Sequence, residues 1–318
     1  MTLQNAFHFD SLVWGGSVAL SLFLLGISAG SAILAVLLHR RGVGHQSGIL
    51  KATAILAPLS LLLALLMLIC SLTRPWTFWK LMFHYQFGSM MSMASLLFQL
   101  YLVVLLAWLA VVFRAEIEGW RSQRFGDKYA RLDTLIGKLV PYERWLNPLL
   151  LLLALWVGLC TGLILAGLKN YPMLNSPVLP ILLLVTGFGS GIAATTLLAV
   201  TRFNESHQSK AFCLVQRLRR PVVIAEICLL LLFFGSLYLS GGQQLVAMLA
   251  AIGGGFWSLV FWCGVIGLGI VLPQVLSTLG SPEQQHGTPK LVLHSSLTLV
   301  GILLLGYVIL YAGQMTVL

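Results

Sequence analysis

The chain has 318 residues, 58% of them hydrophobic and 9% charged, with a formal net charge of +10. A soluble domain carries about 25% charged residues, so the composition excludes one and points to an integral membrane protein. The basic excess reads as a signal for membrane orientation and needs no nucleic-acid partner.

A bilayer is crossed by about 20 apolar residues at 1.5 Å rise each, and eight runs meet that length: Val13 to Leu38, Ala52 to Cys70, Ser89 to Phe113, Leu146 to Leu168, Val178 to Val200, Val222 to Leu239, Val246 to Leu272 and Leu291 to Tyr311. A lipid-exposed backbone must bond within its own segment, and these continuous runs lack the alternation of a barrel. The expected fold is an all-α membrane protein of eight transmembrane helices forming one polytopic domain over residues 1–318.

His8 and Asp10 stand just before the first run and are candidates for passing protons to the adjacent water. The run itself lacks a basic leading segment and is too long for a cleavable signal. It contains Gly26-Ile27-Ser28-Ala29-Gly30, which satisfies G-x-S-x-G. That motif works as a nucleophile elbow only on a strand-to-helix turn; inside an apolar helix, small residues four apart let two backbones approach.

Between the second and third runs, Ser71 to Gly88 is polar, aromatic and cationic. Arg74, His84 and Tyr85 offer polar groups, with Trp76, Phe78, Trp79 and Phe83 as walls. A quinol site needs a polar group at each ring oxygen, aromatic or aliphatic walls and a proton route to water. Arg74, Trp76, Trp79, His84 and Tyr85 are therefore the quinol-binding candidates, and His84 is also a proton acceptor because an unperturbed imidazole titrates near 6.5. The competing reading is an interfacial aromatic belt with snorkelling cations.

The segment 114–145 mixes seven basic with five acidic residues and reads as a cytoplasmic loop with a surface helix. In the fifth run Thr186-Gly187-Phe188-Gly189-Ser190-Gly191 resembles the glycine stretch of the first at an offset of 161. The expectation is two four-helix halves related as a parallel repeat. Glu226 is the sole carboxylate within a span and, as an ionisable group there, is a candidate for proton transfer. The sequence places no other carboxylate or histidine above it, so the simplest mechanism is electroneutral, with Glu226 structural. His294 is the sole histidine within a span.

The loops after runs 1, 3, 5 and 7 carry three, seven, five and one of the 19 lysines and arginines. Arg74, Lys80 and Lys169 make up the other side, so both termini are expected in the periplasm. Cys70, Cys160, Cys213, Cys228 and Cys263 lack C-x-x-C spacing, which suggests no iron-sulfur cluster or zinc site. A membrane haem would need paired histidines at depth, so no haem is expected and no metal is assigned.

Leu72-Thr73-Arg74-Pro75-Trp76-Thr77-Phe78-Trp79, followed by Ser89-Met90-Met91-Ser92-Met93, resembles the signature of the NrfD/polysulfide reductase family of membrane subunits. Gly26 to Gly30 and the ending Tyr311-Ala312-Gly313-Gln314 extend the likeness over the whole length, which is most like the NrfD branch serving formate-dependent nitrite reduction. The resemblance implies a cofactor-free subunit of the bacterial inner membrane that oxidises menaquinol or another quinol. Its electrons would pass to a periplasmic ferredoxin-like subunit with four [4Fe-4S] clusters, then to multihaem cytochrome c. The polysulfide reductase branch holds quinone with Asn and His in its first helix and Tyr in its fourth. Val18, Ser21 and Cys160 stand there in this chain, so that ligand set does not carry over. Alternatives are the membrane subunit of a polysulfide or thiosulfate reductase and, in a different class, a secondary transporter.

Overall fold

A computed structural model describes residues 12–44, 46–72, 74–77, 79, 83, 90–114, 116, 118–119, 136–168, 170–203, 209–278 and 288–316. Among them are α1 (Gly16–Arg40), α2 (Gly48–Ser71), α3 (Met90–Val112), α4 (Glu143–Ala166), α5 (Leu179–Arg202), α6 (Lys210–Ser240), the short α7 (Gly242–Ile252), α8 (Phe256–Thr278) and α9 (Thr288–Gln314). All but α7 are long and apolar enough to cross a membrane, which gives eight spans. One end of the bundle, the terminal face, holds the start of α1 and the end of α9. The opposite end, the basic face, holds the ends of α1, α3, α5 and α8.

α1 is the most enclosed span, followed by α5, and the two cross where their small residues meet. A Cβ built on Gly26 would lie 3.0 Å from Gly187 Cα, and one on Gly191 would lie 2.4 Å from the Gly30 carbonyl carbon. Only hydrogen fits there, so the backbones make the contact themselves. Gly26 meets Gly187 and Gly30 meets Gly191, the pairing of the two stretches matched at an offset of 161. The outer spans turn Leu59, Leu62, Leu231 and Leu232 outward, as a lipid-facing surface requires.

Polar side chains tie the helices together. Pro58 interrupts α2 and removes one backbone donor. Beside it, the buried Ser28 hydroxyl donates to Ala57 O at 2.7 Å and the fully buried Tyr101 hydroxyl donates to Ser28 O at 3.1 Å. Near the basic face, Trp108 Nε1 donates to Asn147 Oδ1 at 2.7 Å, and His39 Nε2 lies 2.8 Å from Glu143 Oε1.

At the terminal face, Gln314 closes the two ends of the polypeptide together. Its Oε1 accepts from Val13 N and Trp14 N at 2.9 Å each, and its Nε2 donates to Trp14 O at 3.0 Å. Stacked aromatics flank this latch, with Trp257, Tyr311 and Tyr307 at centroid distances of 5.0 and 5.9 Å. Leaving such backbone groups unpaired costs about 1–3 kcal/mol. Gln314→Ala is accordingly expected to lower the melting temperature of the purified protein, while Gln314→Glu keeps the acceptor and loses less. Equal melting of wild type and Gln314→Ala would mean the latch is not stabilising.

The sequence-based boundaries need correction at three places. The seventh apolar run is not one helix: Gly253, Gly254 and Gly255 break it, the last two at φ +156° and +105°, where side-chain-bearing residues are strained. α7 lies before the break and α8 crosses after it, held by Ser258 Oγ and Trp262 Nε1 donating to Ile252 O. Within α8, Val260–Val271 is a π-helix. α6 begins at Lys210 rather than Val222, because Ser209 caps it by accepting from Phe212 N at 3.1 Å; hydropathy finds the apolar portion, whereas a helix continues past it. For the same reason helical backbone reaches back to Ile136, inside the segment expected as loop.

Candidate functional site

The terminal-face segment leaves α2 at Ser71. Arg74 is exposed; Trp76, in the 3-10 turn Pro75–Thr77, is 88% exposed; Trp79 is 47% and Phe83 74% exposed. Trp76 and Phe83 are therefore largely uncovered by the described residues, and Trp79 about half covered. His84, Tyr85, His8 and Asp10 lie outside the described residues.

Beneath the terminal face a cleft opens between α1, α4, α5 and α9, with about 30 Å³ of free space. Its walls are mostly Leu, Ile, Phe and Gly, with three hydroxyls among them. Thr161 Oγ1 donates to Gly158 O at 2.6 Å, Thr186 Oγ1 to Leu183 O at 3.2 Å and Ser190 Oγ to Gly187 O at 2.8 Å. Each spends its proton on the helix backbone, which leaves oxygen lone pairs to offer a guest. The space suits one or two waters, and the half-buried Leu22 and Phe23 stand in its wall. Gly306 leaves its α9 wall open, since a Cβ there would meet nothing within 4 Å.

A second cavity, also about 30 Å³, opens toward the basic face between α5, α6, α8 and α9. Glu226 and His294, each 5% exposed, both line it. Arg219 and Gln216 of α6, Gln274 of α8, Thr196 of α5, and Ser295 and Thr298 of α9 complete the polar lining. Among the described residues His294 Nε2 has no hydrogen-bond partner. The sequence singles out both titratable residues but does not show that helices carrying residues 226 and 294 bring them into one space. Their only shared signal is that each is ionisable inside an apolar run, which marks a site by itself.

Val18 and Ser21 are buried on α1, with Ser21 Oγ donating to Val18 O at 2.7 Å. Cys160 is buried, whereas Cys70, Cys213, Cys228 and Cys263 are exposed. Among the described residues no three of His, Cys, Asp and Glu gather in a metal-binding group.

The family described as "Polysulphide reductase, NrfD" matches residues 4–318. Protein NrfD of Escherichia coli (strain K12) is 45% identical over 320 residues, with 100% of both proteins covered. The Protein NrfD homolog of Haemophilus influenzae is 41% identical, with 98% of this protein and 97% of the relative covered. The C polypeptide of polysulfide reductase from Wolinella succinogenes is 34% identical, with 96% of each covered.

Proposed function

Because the chain belongs to the NrfD/polysulphide reductase family of bacterial inner-membrane proteins, we propose that it is the quinol-oxidising membrane subunit of a respiratory complex that reduces nitrite to ammonia. Its whole-length likeness to Protein NrfD carries this reading. The polysulfide alternative has the lower identity, 34% against 45%.

The charge distribution supports a periplasmic terminal face. The quinol head enters the terminal-face cleft, where Thr161, Thr186 and Ser190 accept hydrogen bonds from its hydroxyls and apolar walls hold the ring. Val18, Ser21 and Cys160, which stand where the polysulfide reductase branch has its quinone ligands, directly adjoin the cleft residues Ala19, Leu22 and Thr161 in sequence. Arg74, Trp76, Trp79, His84 and Tyr85 are further candidates for contacting the quinol, and Met90, which follows them in sequence, reaches the α4 end: its Sδ would lie 3.1 Å from a Cβ on Gly167. Quinol leaves as quinone, its two protons passing to periplasmic water with help from His84, His8 or Asp10. Its two electrons pass to a periplasmic ferredoxin-like subunit with four [4Fe-4S] clusters, then through multihaem cytochrome c to nitrite.

The test is quinol-driven reduction of that iron-sulfur partner by the purified complex. Arg74→Ala and His84→Ala should each slow it about tenfold, about 1.4 kcal/mol of transition-state stabilisation, with assembly intact. Wild-type rates in both variants would return the segment to the role of an interfacial belt. A wild-type complex that does not oxidise quinol would sink the assignment.

A further inference from the structure

The outer face of α6 changes character along its length. At 100° per residue, Arg217, Arg220, Ile224, Cys228 and Leu231 fall within about a quarter of the helix circumference, and all five are exposed. Arg219 and Glu226 lie on the other side and line the basic-face cavity. The outward stripe is therefore cationic toward the basic face and apolar beyond it.

Length fixes the depth of that stripe. α6 has 31 residues, about 46 Å at 1.5 Å each, whereas a hydrocarbon core is about 30 Å thick. Its apolar portion, residues 221–239, supplies about 28 Å and ends at the exposed Tyr238 and Leu239; tyrosine is an aromatic that marks headgroup level. The other boundary then falls at Pro221. Arg217 and Arg220 stand within about 6 Å of it, in the layer of lipid phosphates.

Residues 202–220 hold five cations and one acid, Glu205, which lies outside the described residues. Glu226 is the only acid of α6 and faces inward. Among the described residues the ion pairs join His39 to Glu143, Lys51 to Glu116 and Arg114 to Glu118, and none takes in Lys210, Arg217 or Arg220. Three residues apart, Arg217 and Arg220 are neighbours on the helix surface, so they repel until an anion lies between them. Guanidinium groups match the geometry of phosphate. Pro221 has no N–H, which leaves Arg217 O without the donor a regular helix would supply and ready to accept from a headgroup hydroxyl. An orientation signal needs only the number of cations; their alignment with the apolar stripe is a further property.

We propose that this stripe binds one anionic phospholipid with a glycerol headgroup, of the phosphatidylglycerol type, in the basic-face leaflet. Its phosphate lies between Arg217 and Arg220, a headgroup hydroxyl donates to Arg217 O, and an acyl chain follows Ile224, Cys228 and Leu231. Lys210, exposed and about 10 Å farther out on the same side of the helix, adds to the attraction. The lipid holds α6 from outside as α5 packs on it from within. No quinol enters this site, so the inference stands apart from the quinol-oxidising reading.

The full-length protein is purified in detergent, and native mass spectra and melting temperatures are recorded with phosphatidylglycerol or with phosphatidylcholine of identical chains. Wild type should retain phosphatidylglycerol at least about fivefold better, the factor one cation near an anionic surface supplies, and should melt higher with it. Both differences should vanish in Arg217→Gln/Arg220→Gln and persist in Arg40→Gln/Arg41→Gln, which removes the same charge from the basic-face end of α1. Equal losses in the two double variants would mean that net charge alone attracts the lipid, and would overturn the site. So would a rise in melting temperature with inorganic phosphate as large as that with the lipid, which would mark an anion site without a lipid. If Arg217→Gln/Arg220→Gln does not fold, wild type decides, and equal retention of the two lipids overturns the proposal.

Discussion

Replacing Gly191 with alanine, a single added methyl group, should keep the protein from folding stably. Its Cβ would stand 2.4 Å from the Gly30 carbonyl carbon and 2.5 Å from Ser31 N. Both are backbone atoms of the most enclosed helix, so no rotamer change relieves the clash and α1 and α5 must part. Overpacking costs about 1–3 kcal/mol where side groups give way; a backbone-to-backbone clash belongs at or above the top of that range. Parting the helices also opens both cavities, since α5 walls each of them. The contrast is Gly235→Ala on α6, where a Cβ meets nothing within 4 Å. There alanine is the better helix former by about 1 kcal/mol, and stability should hold or rise. Folded yield and melting temperature in detergent compare the two. Equal behaviour would mean that the close approach does not hold the bundle.

Span count was legible in the sequence because the bilayer imposes one length and one composition on every crossing segment. Helix ends were less so. Hydropathy sees the part of α6 in lipid, not the stretch from Lys210 to Pro221 that the Ser209 cap carries beyond it. It also runs through Gly253 to Gly255, because glycine is apolar enough to leave a run unbroken although its backbone ends the helix. The glycine stretch of α1 is readable as a packing surface, and the surface it meets is the matching stretch of α5. The sites were harder to read. Thr161, Thr186 and Ser190 look ordinary in sequence, since hydroxyls in spans commonly bond their own helix, as these do. What sets them apart is convergence on one cleft, a property of the packing. Glu226 and His294 each stand out alone in the sequence, but their common cavity depends on how α6 and α9 sit against α5 and α8.

Closing the terminal-face cleft from Gly306 should slow quinol oxidation more than tenfold in a protein that still folds. Gly306 lines the cleft on α9, and a Cβ there meets open space, so a larger residue fits without driving backbones apart. Gly306→Leu places a branched hydrocarbon where the ring must enter, opposite the hydroxyls of α4 and α5. The quinol-dependent rate should fall more than tenfold, a loss of at least about 1.4 kcal/mol in transition-state stabilisation. Gly306→Ala fills too little to exclude the ring and should stay within about twofold of wild type. A cleft that served only as a packing defect would behave in the opposite way: filling it with leucine would raise the melting temperature through new apolar contact and leave turnover untouched. Measured together, melting and quinol turnover therefore separate a binding cleft from a void. A fully active, more stable Gly306→Leu protein would move the quinol head out of this cleft and onto the exposed aromatic segment.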